Sequence, residues 1–413
     1  MPGSASLPKT TDSAAPDAAE NAGPLRAALL MAGSCLPVLG AILIAPVLPT
    51  MQEHFASVPA AKTLVPVVLT VPALALALLA PFAGVIVDRL GRTRLLVVAT
   101  VLYALFGTAP LWLDSLGAIV ASRVLVGIAE AAIMTCCTTL IGDYYTGRVR
   151  DRYLALQTMC ASVSATAFFV IGGAVGSAGW RAPFWLYAIG LLLAPAMAAA
   201  LSKHRSAGAS ADEPAGETRP FPVRRLAGIC ALTVFGAMVF YTVPVEMAYL
   251  LDGQGVKSTG VIGLATALTS AATVAGSIAF TKLPGNPEGR LPAVFALCAV
   301  GFAMIGLSGS PALLITGGVV NCLGTGVLLP SLLTAAMSRL DYADRGRGTG
   351  LWTAAFFAGE FVCPLVLIGL ESAVGSLAAA VGLLGLASAI TVAGLLLGAR
   401  RRVAATERSP LPQ

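Results

Sequence analysis

Twelve long apolar runs, each about long enough to cross a lipid bilayer, fill this 413-residue sequence. A hydrocarbon core of about 30 Å is crossed by about 20 helical residues. Charged residues make up 11% of the chain, against about 25% in a typical soluble domain, and 57% of the residues are hydrophobic. The runs lack the alternation of a lipid-facing strand, so they predict helices rather than a β-barrel. The predicted spans are 25–48, 63–86, 95–113, 117–141, 153–176, 183–201, 226–250, 259–281, 291–308, 312–337, 349–370 and 377–399.

One long polar connector, residues 203–225, separates the first six runs from the last six. It is rich in Ala, Gly, Pro and charged residues, a composition typical of a linker. The sequence therefore predicts an all-α membrane protein with two six-helix bundles, 25–202 and 226–399. Residues 1–24 are predicted to be a disordered cytoplasmic tail, and 400–413 a second cytoplasmic tail.

The two halves show traces of an internal repeat. A shift of about 198 positions brings the segment Gly142–Arg152 alongside Leu340–Gly348, and it places Arg123 on Asn321. Parallel repeats related by an axis along the membrane normal form a cavity at the middle of the membrane in one class of transporter. Chance similarity between two short polar loops is the alternative explanation.

The basic residues are distributed unequally between alternate loops. If both termini are cytoplasmic, 22 of the 26 Lys and Arg residues lie in cytoplasmic segments, and Lys62, Arg181 and Lys257 lie outside. Cytoplasmic loops of membrane proteins carry such an excess. We expect a multi-pass protein of the cell (inner) membrane with both termini in the cytoplasm and no cleavable signal peptide. This asymmetry accounts for the net charge of +6, so the bilayer is the expected partner and nucleic acid is not.

Three ionisable residues fall well inside the predicted spans, where each costs about 2.5 to 3.5 kcal/mol to insert. Arg123 and Glu130 are seven residues apart, which places them on nearly the same helix face, so both can face an internal cavity. Glu360 lies near the middle of its span. These residues are candidates for proton coupling, and Arg123 and Glu360 also for substrate binding. The alternatives are an ion pair that orients the helices and a protonated Glu bonded to a helix carbonyl.

Three further residues are candidates for substrate contact. Glu246 lies near the predicted outer end of the seventh span, where snorkelling to the interface is an equally good explanation. Tyr241 is predicted to line an outer vestibule, and interfacial anchoring is its alternative role. Asn321 can donate and accept hydrogen bonds between helices, so packing is its alternative role.

The string GVIVDRLGRTR follows the second span. It resembles the G-x-x-x-D-R-x-G-R-[RK] loop of the major facilitator superfamily at Gly84, Asp88, Arg89, Gly91 and Arg92. Gly84 would permit close helix approach and Gly91 a tight turn between helices, while Asp88 suits a helix N-terminus. The resemblance implies that these residues form a cytoplasmic latch. It further implies that Asp88 docks against the eleventh span and separates when the inner side opens.

Other segments extend this resemblance over most of the chain. The run 123–131 is similar to the fourth span of the superfamily, which the family associates with proton coupling. The runs 324–332 and 350–365 resemble the drug:proton antiporters and the sugar-efflux permeases. The sequence departs from the antiporters where Phe168 and Phe169 replace a Gly-Pro pair, and it has no acid in the first span.

The sequence thus predicts a secondary active transporter that works by alternating access, with proton-coupled efflux of a small organic or amphiphilic compound. A proton-coupled importer of a sugar or organic acid is the alternative, and a channel or a non-transporting receptor of this fold is a third. An enzyme is not expected, because His54 and His204 fall in loops without clustered acids. We expect no metal and no cofactor. Protons and a small molecule are the expected ligands, and one chain is sufficient to enclose the cavity.

Overall fold

The computed structural model describes residues 23–201, 221, 223–341 and 344–407, with side chains as far as residue 400. Within these residues, twelve helical segments are long and apolar enough to span a membrane, which confirms the predicted number. They are α1 (Pro24–His54), α2 (Ala61–Leu79), α3 (Arg92–Leu111), α4 (Leu116–Tyr144), α5 (Gly147–Gly176), α6 (Ala182–Leu201), α7 (Val223–Gly253), α8 (Thr259–Lys282), α9 (Pro287–Gly306), α10 (Pro311–Met337), α11 (Arg345–Val374) and α12 (Leu377–Arg400).

The predicted tails and linker lie partly outside the described residues. Most of 1–24 and 203–225, and the last six residues of 400–413, belong to this undescribed part. At the edges that are described, the helices are longer than predicted. The helix of α7 begins at Val223, and the helix of α12 continues to Glu407.

The helices form two six-helix bundles that meet along two seams. Helices α1–α6 pack mainly on one another, as do α7–α12, while the pairs α5–α8 and α2–α11 join the bundles. At the first seam Gly173 of α5 lies directly against Gly263 of α8, because neither residue has a side chain. Small residues let helix backbones approach closely in this way.

We call the side of the bundle on which α1 begins the N-terminal face, and the other side the opposite face. The Gly173–Gly263 contact lies towards the opposite face, close to the end of α5 and the start of α8. Lys257 adds an exposed link there, because its Nζ lies 2.8 Å from Asp252 of its own bundle and 3.8 Å from Glu53 of the other. The hydrogen bond that the Lys257 ammonium donates to Asp252 raises the pKa of Lys257, since it stabilises the charged form. The bundles are therefore held together at the opposite face.

The segment after α2 differs from its prediction. The predicted span 63–86 ends at Leu79, and a separate short helix, Ala83–Leu90, follows a three-residue turn. Gly91 then adopts φ +83° and separates this short helix from α3. A left-handed φ favours glycine, so the expected tight turn is present at Gly91. The expected close approach at Gly84 is absent, because a Cβ there would meet nothing within 4 Å.

Asp88 and Arg92 interact with each other rather than with α11. Arg92 Nη2 lies 2.7 Å from the Asp88 carboxylate, one helical turn away, and Nη1 contacts Asp143 at the end of α4. The Asp88 side chain remains 60% exposed, and no hydrogen bond to α11 is found for it in the described part of the chain. Arg89 is exposed. In this conformation Asp88 pairs with Arg92 and is not docked on α11, so its docking and release stay a prediction.

The ion pair between α3 and α4 has a counterpart in the second half. Arg92 and Asp143 are 51 residues apart, and Glu288 and Arg339, which join α9 to α10 at 3.1 Å, are also 51 residues apart. Each residue of the second pair follows its counterpart by 196 positions, and the charges are exchanged. The two ion pairs lie at equivalent positions of the two halves, with the acidic and basic residues exchanged, and this supports the predicted internal repeat.

Candidate functional site

A cavity of about 330 Å³ lies between the two bundles. Helices α1, α2, α4 and α5 line it from the first half, and α7, α8, α10 and α11 line it from the second. Along α5 the lining runs from Phe169 to Thr158, a distance of about 16 Å at 1.5 Å per residue. The cavity thus extends from below the closed opposite face towards the N-terminal face, and both bundles contribute to its wall.

Glu130 reaches this cavity from α4. It is only 2% exposed, and its Oε1 has no hydrogen-bond partner. The carboxyl lies against Gly40 of α1, where a Cβ would overlap it. Gly40 is therefore the residue whose missing side chain makes room for Glu130. A buried carboxyl group without a partner is a candidate for reversible proton binding.

Arg123 does not line the cavity, although its spacing from Glu130 predicts a shared face. It is fully buried inside the first bundle, where Nη2 donates to the Gly40 carbonyl at 2.8 Å and Nε to the Val68 carbonyl at 3.3 Å. Its guanidinium also lies over the ring of Tyr187, 4.9 Å from the centroid. No ion pair within 4 Å joins it to Glu130 among the described residues. Arg123 thus connects α4 to α1 and α2, and direct substrate contact is not supported.

Glu360 reaches the same cavity from α11. It is 5% exposed, and it makes no hydrogen bond or ion pair within the described residues. The wall beside it is aromatic, because the Phe356 ring lies 5.2 Å from Phe357 and 5.9 Å from Phe240 of α7. Trp352 stacks on Phe356 at 5.8 Å and extends this aromatic row towards the N-terminal face. Glu130 and Glu360 are therefore two unpartnered carboxyl groups, one from each bundle, facing one largely apolar space.

Tyr241 lines this central cavity rather than an outer vestibule. Its hydroxyl donates to the Ala41 carbonyl at 2.8 Å, which joins α7 to α1. Thr166 and Ser270 form a second hydrogen bond between the bundles, 3.1 Å long, from α5 to α8. Both hydrogen bonds cross the space through which the bundles would have to separate. Sequence reasoning missed Thr166 and Ser270, because isolated hydroxyl residues in apolar spans usually bond to their own helix.

The two remaining candidates lie elsewhere. Asn321 is fully buried between α10 and α9, and its Nδ2 lies 3.5 Å from the Cys298 carbonyl. It is absent from the cavity wall, so its position supports the packing role over substrate contact. Glu246 is 4% exposed and lines a separate cavity near the opposite face, which excludes simple snorkelling to the interface.

Sequence comparison identifies the family. The Major Facilitator Superfamily profile matches residues 30–292, which is more than half of the chain. The tetracycline resistance protein, class C, of Escherichia coli is 31% identical over 196 residues, which cover 46% of each chain, so that alignment spans about half of either protein. The inner membrane transport protein RhmT of Escherichia coli (strain K12) is 26% identical over 365 residues, covering 79% of this chain and 83% of the relative.

The solved structures show the same architecture. The crystal structure of a D-xylose-proton symporter superposes with a TM-score of 0.72 at 13% identity, covering 89% of this chain and 96% of that one. At this identity the likeness concerns the fold alone. The two-bundle architecture and the profile match define the class. The chain belongs to the major facilitator superfamily of membrane transporters.

Proposed function

We propose that this protein is a secondary active transporter that exports a small organic amphiphile in exchange for protons. The observation that carries the proposal is the pair Glu130 and Glu360. These residues belong to different bundles, lack partners, and face one cavity that both bundles line. A carboxyl group that is protonated on one side of the membrane and deprotonated on the other couples proton flow to the alternation of the cavity.

The wall of the cavity supports an amphiphilic substrate. Phe240, Phe356, Phe357 and Tyr241 supply aromatic surface on the second bundle, and Leu69 and Leu76 supply aliphatic surface on the first. Aromatic faces combined with carboxylates favour compounds that have a lipophilic body and a cationic or polarised group. The tetracycline resistance relative bears a name that fits this class. Import of a sugar has less support, because the hydroxyls of Thr158, Ser162 and Thr269 in this wall already donate to carbonyls of their own helices. Import of an organic acid has less support, because no basic side chain is among the described residues that line the cavity.

The proposed orientation follows from the positive-inside distribution. With both termini in the cytoplasm, the N-terminal face is cytoplasmic, and the cavity extends towards the cytoplasm while the outer side is closed. Arg123 is proposed to act indirectly, because its bond to the Gly40 carbonyl fixes the α1 backbone against which the Glu130 carboxyl lies. Asp88, Arg92 and Asp143 are proposed to stabilise the connection between α2, α3 and α4 on the cytoplasmic side.

The test uses purified protein in proteoliposomes with an imposed proton gradient. The probes are tetraphenylphosphonium, tetracycline and xylose. The variants are Glu130→Gln and Glu360→Gln, and the matched control is Asp151→Asn, whose side chain is 71% exposed and outside the cavity. We expect gradient-driven accumulation of an amphiphile to fall at least about 10-fold in both cavity variants, while substrate exchange without a gradient persists.

The outcomes separate the candidate functions. Unchanged accumulation in both cavity variants would exclude these carboxyl groups from coupling. Accumulation of xylose but of neither amphiphile would favour the import alternative. Equal loss in Asp151→Asn would show that the effect is structural and would also contradict the proposal. Flux without counterflow would identify an open pore instead of a carrier.

A further inference from the structure

A second cavity, of about 540 Å³, lies near the opposite face between the ends of α7 and α11. The start of α2, the turn between α11 and α12, Gln52 of α1 and Ser308 after α9 also contribute to its wall. It shares no lining residue with the central cavity. Glu371 stands eleven residues beyond Glu360 on α11, about 16 Å further along the helix. Lys62 and Ser376 are exposed at the edge, so this cavity is accessible to the solution at the opposite face.

Three residues that line this space carry polar groups without partners. Glu246 is 96% buried and makes no hydrogen bond or ion pair among the described residues. The hydroxyl of Tyr249 and Oε1 of Gln254 are both buried and unpartnered. The amide nitrogen of Gln254 donates to Ser308 Oγ at 3.1 Å, which fixes the amide and leaves its oxygen free. Buried polar atoms are normally paired, so three unpaired groups in the wall of one cavity favour a polar ligand there.

The charge of these groups indicates what that ligand is. Glu246 and the half-buried Glu371 are both acidic, and the neutral groups beside them can accept hydrogen bonds. Lys62, at the exposed edge, forms no ion pair with either acid in the described structure. A buried carboxylate is stable when a cation pairs with it, so the site is suited to a positive charge. It is not suited to an anion.

The size and the remaining wall restrict the ligand further. A volume of about 540 Å³ is within the range of small-molecule pockets and far exceeds what a bare metal ion occupies. Pro66, Leu250, Leu367 and Ile368 supply apolar surface beside the acids. The site therefore offers an acidic pole and an apolar body, which matches an organic ammonium compound.

We propose that the second cavity is a binding site for organic ammonium ligands, with Glu246 as the principal counter-ion. Glu371 supplies a second negative charge, and Tyr249 and Gln254 accept hydrogen bonds from the ammonium group. The site is filled from the opposite face and is separate from the central cavity while that face is closed. It binds its ligand whether or not Glu130 and Glu360 carry the proton coupling proposed above.

Isothermal titration calorimetry tests this proposal. It measures the binding of 4-phenylbutylamine to the purified full-length protein in lipid nanodiscs. The neutral analogue 4-phenylbutanol has nearly the same shape without the charge. We expect a binding event for the amine that Glu246→Gln weakens at least about 10-fold and Tyr249→Phe weakens about 3-fold. Glu360→Gln, which alters the central cavity alone, should retain this event. The alcohol should bind at least about 10-fold more weakly than the amine.

Glu246→Gln preserves the shape of the side chain and removes a buried charge, so we expect it to fold, and thermal unfolding checks this. If Glu246→Gln nevertheless fails to fold, the smaller change Tyr249→Phe decides the matter. The proposal is overturned if the amine and the alcohol bind equally, or if no amine binding depends on Glu246 or Tyr249. It is also overturned if binding disappears only in Glu360→Gln, since the single amine site would then be the central cavity.

Discussion

Gly263 of α8 provides a direct test of how the opposite face is closed. A Cβ at this position would lie 2.5 Å from the Phe169 carbonyl oxygen and 2.8 Å from the Gly173 Cα, whereas ordinary contacts begin near 3.4 Å. In Gly263→Ala the two backbones must therefore separate by up to about 0.9 Å. The obstacle is backbone and not a mobile side chain, so it cannot be relieved by a change of rotamer.

Overpacking of this kind costs about 1 to 3 kcal/mol. Under the proposed alternating access the cost applies only to the conformation in which α5 and α8 touch at the opposite face. The equilibrium should then shift towards the conformation open at that face by about 5- to 150-fold. The substitution is expected to change the ratio of the two conformations more than the fold itself.

The shift can be measured as a distance between spin labels by pulsed electron paramagnetic resonance. Labels at Ser177 and Val261, both exposed near this seam, report the separation of α5 and α8 after the eight native cysteines have been replaced. Gly260→Ala, three residues away, is the matched control, because its Cβ meets only a side-chain oxygen at 3.8 Å. We expect a larger long-distance population in Gly263→Ala only. Identical distance distributions in the two folded variants would refute the reasoning.

Three further predictions concern the central cavity and the residues packed behind its wall. Gly40→Ala should displace the Glu130 carboxyl and reduce gradient-driven transport at least about 10-fold. Protein yield and unfolding temperature should change little. Normal proton coupling in this variant would contradict the contact between Gly40 and Glu130. Arg123→Leu should lower the free energy of unfolding by about 2 to 4 kcal/mol, because the buried carbonyls of Gly40 and Val68 lose their donor. An unchanged denaturation midpoint would argue against a role of Arg123 in connecting the helices. Tyr241→Phe removes the hydrogen bond to the Ala41 carbonyl between the bundles, which is worth about 0.5 to 1.5 kcal/mol. This change should raise the exchange rate of a bound amphiphile. A slower exchange would be inconsistent with a hydrogen bond that stabilises this conformation.

Hydropathy and turn chemistry were sufficient for much of the fold. The number of spans follows from run length, because each helix must satisfy its own backbone in lipid. The turn at Gly91 follows from a glycine between two helical runs. The end of α2 was predicted seven residues too late, since the short helix Ala83–Leu90 continues the apolar pattern. Pro81 lies in the break, but Pro66 and Pro72 lie inside α2 without ending it, so proline alone did not locate the break.

The candidate site was predicted in composition but only partly in arrangement. Glu130 and Glu360 stand out in sequence because acids are costly in apolar spans, and the structure brings both to one cavity. Arg123 stands out for the same reason, yet two of its nitrogens donate to carbonyls of neighbouring helices, which no local pattern reveals. The exchanged ion pairs Arg92–Asp143 and Glu288–Arg339 escaped detection, because a charge reversal hides a repeat from residue matching.

The sequence alone determined the number of crossings and the identity of the ionisable groups within them, because transfer from water to lipid is a property of each segment by itself. The tertiary structure decided which of these groups meet. Whether a polar side chain faces a cavity, a neighbouring carbonyl or another helix depends on where helices distant in sequence touch and where they diverge. The contact of Gly173 with Gly263 and the position of Glu246 in a second cavity are results of that packing, since each joins residues of different helices.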